Sequence, residues 1–294
     1  MRPELAAALG SEVVSMARLG GGDVAESYRV MLADGRTVFA KTHRNPPAGF
    51  FTTEAAGLRW LREPGELPVP DVLAVSDGED GNDGTDGSAP AFLALEWIDE
   101  GGRHSDEATF GRALARLHRV GMPSFGRQDR RTTGSRALPN DPCDTWVEFF
   151  RDRRLVVLRR LAAESGALPP HTLSKLDGVI DRLADLGGPP EPPARLHGDL
   201  WAGNRVVDRT GRSWLIDPAA HGGHREFDLA MMRLFGGFGT EAFDAYDDEF
   251  PLADGWADRV PLHQLAPLIV HAVKFGGGYA GAADRALDQV LRAS

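Results

Sequence analysis

Two stretches decide the reading: RLHGDLWAGNRVV at residues 195–207 and WLIDPAA at 214–220. They set Asp199, Asn204 and Asp217 in order, with His197 and Gly198 ahead of them and Trp201 inside the loop. The chain from 205 to 217, RVVDRTGRSWLID, reads as a tight hairpin turning at Thr210-Gly211. A solvated loop has no need of this spacing. Phosphoryl transfer has, because it requires a carboxylate to orient a hydroxyl and accept its proton, and hard oxygen ligands for magnesium. On that chemistry Asp199 is the candidate base, and Asn204 and Asp217 are the candidate magnesium ligands.

Working outward, the N-terminal third supplies groups that would hold nucleotide phosphates. Gly20, Gly21 and Gly22 lie between two strand-like runs, where glycine lets backbone N–H groups approach phosphate oxygens. A glycine-rich tip is common by itself. Lys41 closes the strand TVFAKT at 37–42, and Glu54 lies on the first turn of a helix at about 50–62. A strand lysine held by a helix glutamate is the protein-kinase arrangement, and the interval from Asp199 to Asn204 is that of the kinase catalytic loop. Taken alone, Lys41 and Glu54 would be read as a surface ion pair; the ordered set of six carries the argument. FLALEWI at 92–98 then reads as the strand that enters a hinge, with main-chain atoms of Glu96 and Ile98 available to an adenine edge.

The bulk numbers fit this reading. A chain of 294 residues with 42% hydrophobic and 26% charged side chains can bury a sizeable core. A net charge of −10 argues against nucleic acid or an anionic membrane as partner. The single cysteine, Cys143, excludes an internal disulfide and a cysteine metal cluster. No apolar run is long enough to span a bilayer, and the N-terminus reads as a short helix, so a cytoplasmic protein is expected. The acidic, glycine-rich run SDGEDGNDGTDGSAP at 76–90 fails the calcium-loop pattern and reads as an insertion in a hairpin.

Strand patterns dominate before residue 98 and helical patterns after 103. The expected fold class is therefore α+β: a small antiparallel-sheet lobe with one main helix, residues 1–98, and a larger, mostly helical lobe with a short catalytic hairpin, residues 99–294.

HGDLWAGN and IDPAAHGGHREFDLAMMRLFGGF resemble the signature of the fructosamine kinase (ketosamine kinase) family. GGGDVAESYRV, FTTEAAGL, TWVEFFRDRRL and VHAVKFGGGY are similar to further family segments, so the resemblance covers nearly the whole chain apart from the insertion. It implies a bilobal protein-kinase-like fold shared with aminoglycoside phosphotransferases and choline kinases. It further implies ATP and Mg2+ as cofactors and phosphorylation of the sugar 3-hydroxyl of a ketoamine, a small metabolite or a glycated lysine. Release of the amine would follow. A monomer or weak homodimer is expected. Some family members carry a redox-active cysteine in the glycine loop; here the corresponding place is Asp23, which argues against that switch.

The resemblance also assigns neighbours of the loop. Trp201 would stack on the sugar or its amine, where a cationic amine gains cation–π attraction, and His224 and Glu226 of the GHREF run would help shape the substrate site. His197 is expected to anchor the loop, and Asp228 to accept loop N–H groups and stiffen the surroundings of Asp199. A zinc site at His221 and His224 has no evident third ligand, and Gly276–Gly278 reads as a break between helices. Three other functions compete: a kinase of an aminoglycoside or amino alcohol, a non-catalytic nucleotide binder, and a metal-dependent hydrolase, which would have no use for Lys41 or the glycine loop.

Overall fold

The computed structural model describes residues 1–20, 25–78, 90–101, 105–129, 132–133 and 138–292. Gly21, Gly22, Asp23 and most of the acidic insertion lie outside the described residues. The chain forms two compact units: Met1–Ser105 with Val206–Asp217, and Asp106–Arg205 with Pro218–Ser294. The expected division at 98/99 differs from this in two places, because residues 99–105 and the hairpin 206–217 group with the first unit. Main-chain bonds are the reason. Leu215 N–H donates to the Pro68 carbonyl (2.9 Å), Arg209 N–H to Asp99 (3.0 Å) and Gly101 N–H to Val207 (3.3 Å).

The first unit is built on five strands, β1 (Val13–Arg18), β2 (Glu26–Leu32), β3 (Thr37–His43), β4 (Val72–Ser76) and β5 (Ala91–Glu96). They pair antiparallel in the order β1-β2-β3-β5-β4. The β2–β3 turn closes at Asp34-Gly35, where Gly35 takes φ 88°, a value that favours glycine. Strand alternation sends Val38 and Ala40 of β3 to one face, where they meet Val30, Leu32 and Ala94 and the helix α1 (Arg2–Leu9) through Leu5 and Leu9. Lys41 therefore projects from the other face. The helix α2 (Phe50–Arg62) buries Phe51, Ala55, Leu58 and Leu61, and Glu54 falls on that same stripe by helical spacing. Its first turn is closed by Asp77, whose carboxylate accepts from Phe51 N–H (2.7 Å) and Thr52 N–H (3.2 Å).

The second unit is helical. Its first helix, α3 (Glu107–Arg119), is capped by Asp106, which accepts from Thr109 N–H at 2.8 Å. The helix expected at 145–164 runs from Trp146 to Ser165 and contains a π-helical stretch, Phe150–Leu155. A two-stranded antiparallel ladder, Ala194–Leu196 with His221–Gly223, flanks the loop 197–204. Helices Glu226–Leu234, Thr240–Glu249, Trp256–Phe275 and Tyr279–Arg292 complete the unit, with Gly276–Gly278 between the last two. Trp146, Phe149, Phe150, Leu196, Phe227, Met231 and Ile269 belong to its core. No helix among the described residues is long and apolar enough to cross a membrane.

Candidate active site

In the first unit the centre is Lys41. It is 6% exposed, and its Nζ lies 2.5 Å from Glu54 Oε1 and 2.6 Å from Asp217 Oδ1. Burial disfavours its charge, but the two carboxylates outweigh burial, and the Lys41 pKa is raised. Burial moves Glu54 the other way for an acid. Helped by the nearby Asp217 charge and opposed by Lys41, it lifts the carboxyl to about 7.

Asp217 differs from Glu54 in being half exposed. Its φ is 52°, the one left-handed non-glycine residue among the described residues. Such a backbone costs about 1–3 kcal/mol and persists where the surroundings impose it. Asp217 follows the hairpin Arg205–Val207/Ser213–Leu215, whose turn contains Asp208. The buried Asp208 carboxylate accepts from Thr210 N–H (2.8 Å) and hydroxyl (2.6 Å), Arg212 N–H (3.1 Å) and Trp214 Nε1 (2.8 Å). Burial opposes its charge, yet these donors hold its pKa well below the usual range. Sequence reading passed over Asp208; an aspartate two residues ahead of a Thr-Gly turn was the available signal.

The remaining nucleotide candidates are backbone groups. Gly20 is exposed, and a Cβ added there would meet nothing within 4 Å. Glu96 N–H donates to Asp71 O (2.9 Å), and the Ile98 carbonyl accepts from Glu100 N–H (2.9 Å).

In the second unit the candidate loop, residues 197–204, is held by Asp228. Its carboxylate accepts from His197 N–H (2.7 Å) and Gly198 N–H (2.9 Å), the bonds expected of it. His118 Nε2 lies 3.3 Å from the same carboxylate, and His118 Nδ1 lies 2.8 Å from the Tyr246 hydroxyl. All four side chains, Asp228, His118, His197 and Tyr246, are buried. Burial raises the Asp228 pKa, but the hydrogen bond and charge of His118 dominate together with the loop donors, and the net direction is down. Gly198 takes φ 79°, and a Cβ there would come within 2.2 Å of the Ala219 carbonyl, so only glycine fits.

Asp199 is partly exposed. Asn204 turns its Nδ2 toward it, donating to the Asp199 carbonyl (2.8 Å) and to Oδ2 (3.1 Å). Trp201 is 39% exposed, and its N–H donates to the Asp199 carbonyl at 3.1 Å.

His224 and Glu226 have a different occupation from the expected substrate contact. Both are buried, and the Glu226 carboxylate is taken by Arg259 (2.5 and 2.9 Å) and by His263 Nε2 (3.2 Å). Burial would raise the Glu226 pKa; these partners pull it to about 2. His224 sits against Trp146, and burial, reinforced by the neighbouring His263, lowers it to about 4. His224, Glu226 and His263 are close enough to surround an ion. Arg259 already supplies the cation there, and His224 Nδ1 accepts from Glu226 N–H (3.3 Å), which places the ring proton on Nε2, so the cluster is built as an ion pair.

The comparisons agree on what this arrangement belongs to. The sequence profile of the family described as fructosamine kinase matches residues 3–293. A probable ketoamine kinase of Enterococcus faecium is 36% identical over 269 residues, spanning 91% of this chain and 92% of that protein. The crystal structure of a candidate fructosamine-3-kinase from Thermobifida fusca is 39% identical and superposes with a TM-score of 0.89, covering 99% of this chain and 98% of that one. An aminoglycoside phosphotransferase, APH(4)-Ia, at 14% identity and a TM-score of 0.65, covering 100% of this chain and 99% of its own, shares the fold alone. The fold is thus the α+β, protein-kinase-like one, and the chain belongs to the fructosamine kinase family.

Proposed function

We propose that the chain is an ATP- and magnesium-dependent kinase that phosphorylates the sugar 3-hydroxyl of small-molecule ketoamines or glycated lysine. Family membership carries the acceptor class, a sugar hydroxyl. The observation that carries the phosphate chemistry is Lys41, clamped at 2.5 and 2.6 Å between Glu54 and Asp217. A buried lysine held by two carboxylates suits nucleotide phosphates, and a hydrolase or a structural ion pair would not need the second carboxylate.

In this reading Asp199, steadied by Asn204, orients the sugar hydroxyl and accepts its proton as the phosphoryl group transfers. Lys41 donates to phosphate oxygens, with Glu54 fixing its position. Gly20–Gly22 cover the phosphates. The Glu96 carbonyl and the Ile98 N–H are the acceptor and donor that an adenine edge requires. The Asn204 amide oxygen and the Asp217 carboxylate are hard oxygen donors that fit magnesium, which when bound neutralises charge on the phosphate oxygens. Trp201 stacks on the substrate, and Asp228 with His197 keeps the loop rigid. The 3-phosphate is unstable and sheds its sugar, freeing the amine.

The test is magnesium-dependent ATP consumption with fructosyl-lysine, ribulosyl-lysine and an aminoglycoside. Consumption with a ketoamine, followed by free amine, supports the reading. Consumption with the aminoglycoside alone moves the acceptor class. ATP binding without turnover on any of the three makes the protein a binder. Asp199→Asn should cut turnover by roughly 10²–10⁴-fold, the usual worth of a positioned base, with ATP affinity kept; near-normal turnover would remove Asp199 from that role.

A further inference from the structure

We propose that the exposed rings beside the catalytic loop form a subsite for the amine portion of the substrate, selecting ketoamines whose amine carries an extended apolar or aromatic group. The proposal rests on the ketoamine-kinase reading above.

Among the described residues, the exposed Trp and Phe side chains are Trp201 (39%), Phe235 (41%) and Phe275 (46%). They are not scattered. Trp201 meets Phe235 edge to face at 5.9 Å. Phe235 lies 5.4 Å from His271, and His271 lies 5.5 Å from Phe275 and 5.0 Å from Tyr279. One run of rings thus starts in the catalytic loop and ends at the junction of the last two helices. Tyr279 packs against the core of this unit, whereas Trp201, Phe235 and Phe275 lie outside it. Scattered exposed apolar residues need no explanation; a contiguous aromatic patch beside a catalytic loop does.

Its near end is fixed to the loop that carries Asp199. The Trp201 ring lies across Gly203, where a Cβ would come within 2.2 Å of Cη2. The turn after Phe235 packs on the residue following Trp201: a Cβ on Gly237 would come within 2.5 Å of Ala202 Cβ, and Arg205 Nη2 donates to the Gly237 carbonyl at 2.9 Å. Phe235 is therefore held in register with the base.

Substrate chemistry identifies the occupant. In a ketoamine the amine is on C1 and the reacting hydroxyl on C3, with only C2 between them. The amine substituent must leave the site next to the atom that Asp199 orients. An ammonium there is attracted to ring faces, and an apolar tail gains from covering exposed rings. A run of this length exceeds what the sugar itself can cover.

The experiment fixes the sugar as ribulose and varies the amine between methylamine and phenethylamine, in wild type, Phe235→Ala and Phe275→Ala. Both substitutions are at exposed positions, and unfolding midpoints verify the fold. The expected result is a KM for the phenethylamine compound about tenfold below that of the methylamine compound in wild type, equivalent to about 1.4 kcal/mol. The ratio should collapse toward one in Phe235→Ala, with the change confined to KM. Equal KM values in wild type, or a variant that shifts both substrates alike, would overturn the subsite. So would variants that change only sedimentation, since the patch would then be a contact between copies of the chain. Turnover with neither ketoamine would instead bring down the kinase reading, and the subsite with it.

Discussion

Lys41 is shared: Glu54 holds it at 2.5 Å from within the first unit's interior, and the strained, half-exposed Asp217 holds it at 2.6 Å. One ammonium serving two carboxylates leaves the trio net negative above about pH 7, where Glu54 is ionised.

That difference predicts different phenotypes. Glu54→Gln leaves Lys41 paired with Asp217 alone, so KM for ATP should rise by about tenfold while the fold survives, since about 1.4 kcal/mol is a tenfold effect. Lys41→Met strands a buried carboxyl and should cost up to about 3–5 kcal/mol of stability, the range for breaking a buried pair. The cost should be smaller below pH 7, where Glu54 can take a proton. Nucleotide titrations and unfolding curves at pH 6 and 8 separate the two.

Asp208 should matter more than its absence from any catalytic role suggests. Asp208→Ala removes the acceptor for five donors in the hairpin that delivers Asp217. Hydrogen bonds to charged groups are worth about 1.5–3 kcal/mol each, though not additively. A loss of about 2–4 kcal/mol is expected, with a weaker magnesium dependence of turnover. Unchanged stability would show that Asp217 is held by its other contacts.

Gly198→Ala tests the loop itself. The residue must keep φ 79° against the Ala219 carbonyl at 2.2 Å, which Cβ cannot share. We expect the loop to shift, with kcat down by about 10²-fold, the cost of an ångström-scale misplacement of a catalytic group. Normal kcat with normal stability would mean that Asp199 tolerates displacement.

Stability should fall on acidification through the buried histidines. Burial, with the nearby Arg154 charge acting the same way, lowers His221 to about 3, and His224 is lowered to about 4. The unfolded chain takes up both protons near pH 6.5 and the folded chain does not, so stability present above pH 6.5 is lost below it. Glu54 opposes this between about 7 and 4.5, because its folded pKa is the higher one. Two protons against one leaves a net loss of stability as the pH falls, steepening below pH 4.5 as Glu226, held at about 2, joins in. Unfolding midpoints from pH 7 to 4 check this; a flat profile would contradict it.

The sequence by itself determined the elements and most candidate residues. Strand alternation around Lys41, helical spacing around Glu54 and the interval from Asp199 to Asn204 are local properties, legible within a few residues. What local pattern cannot carry is which buried charge meets which. Glu226 reads as a substrate contact because it sits in a signature run, yet Arg259 and His263, more than thirty residues on, claim it. Asp77 falls in what reads as a plain acidic insertion, yet it caps α2. The hairpin 206–217 reads as part of the second lobe, yet Pro68 and Asp99 bond it to the first unit. Each of these was decided by tertiary structure, because a buried polar group must find a partner and the partner may come from anywhere in the chain.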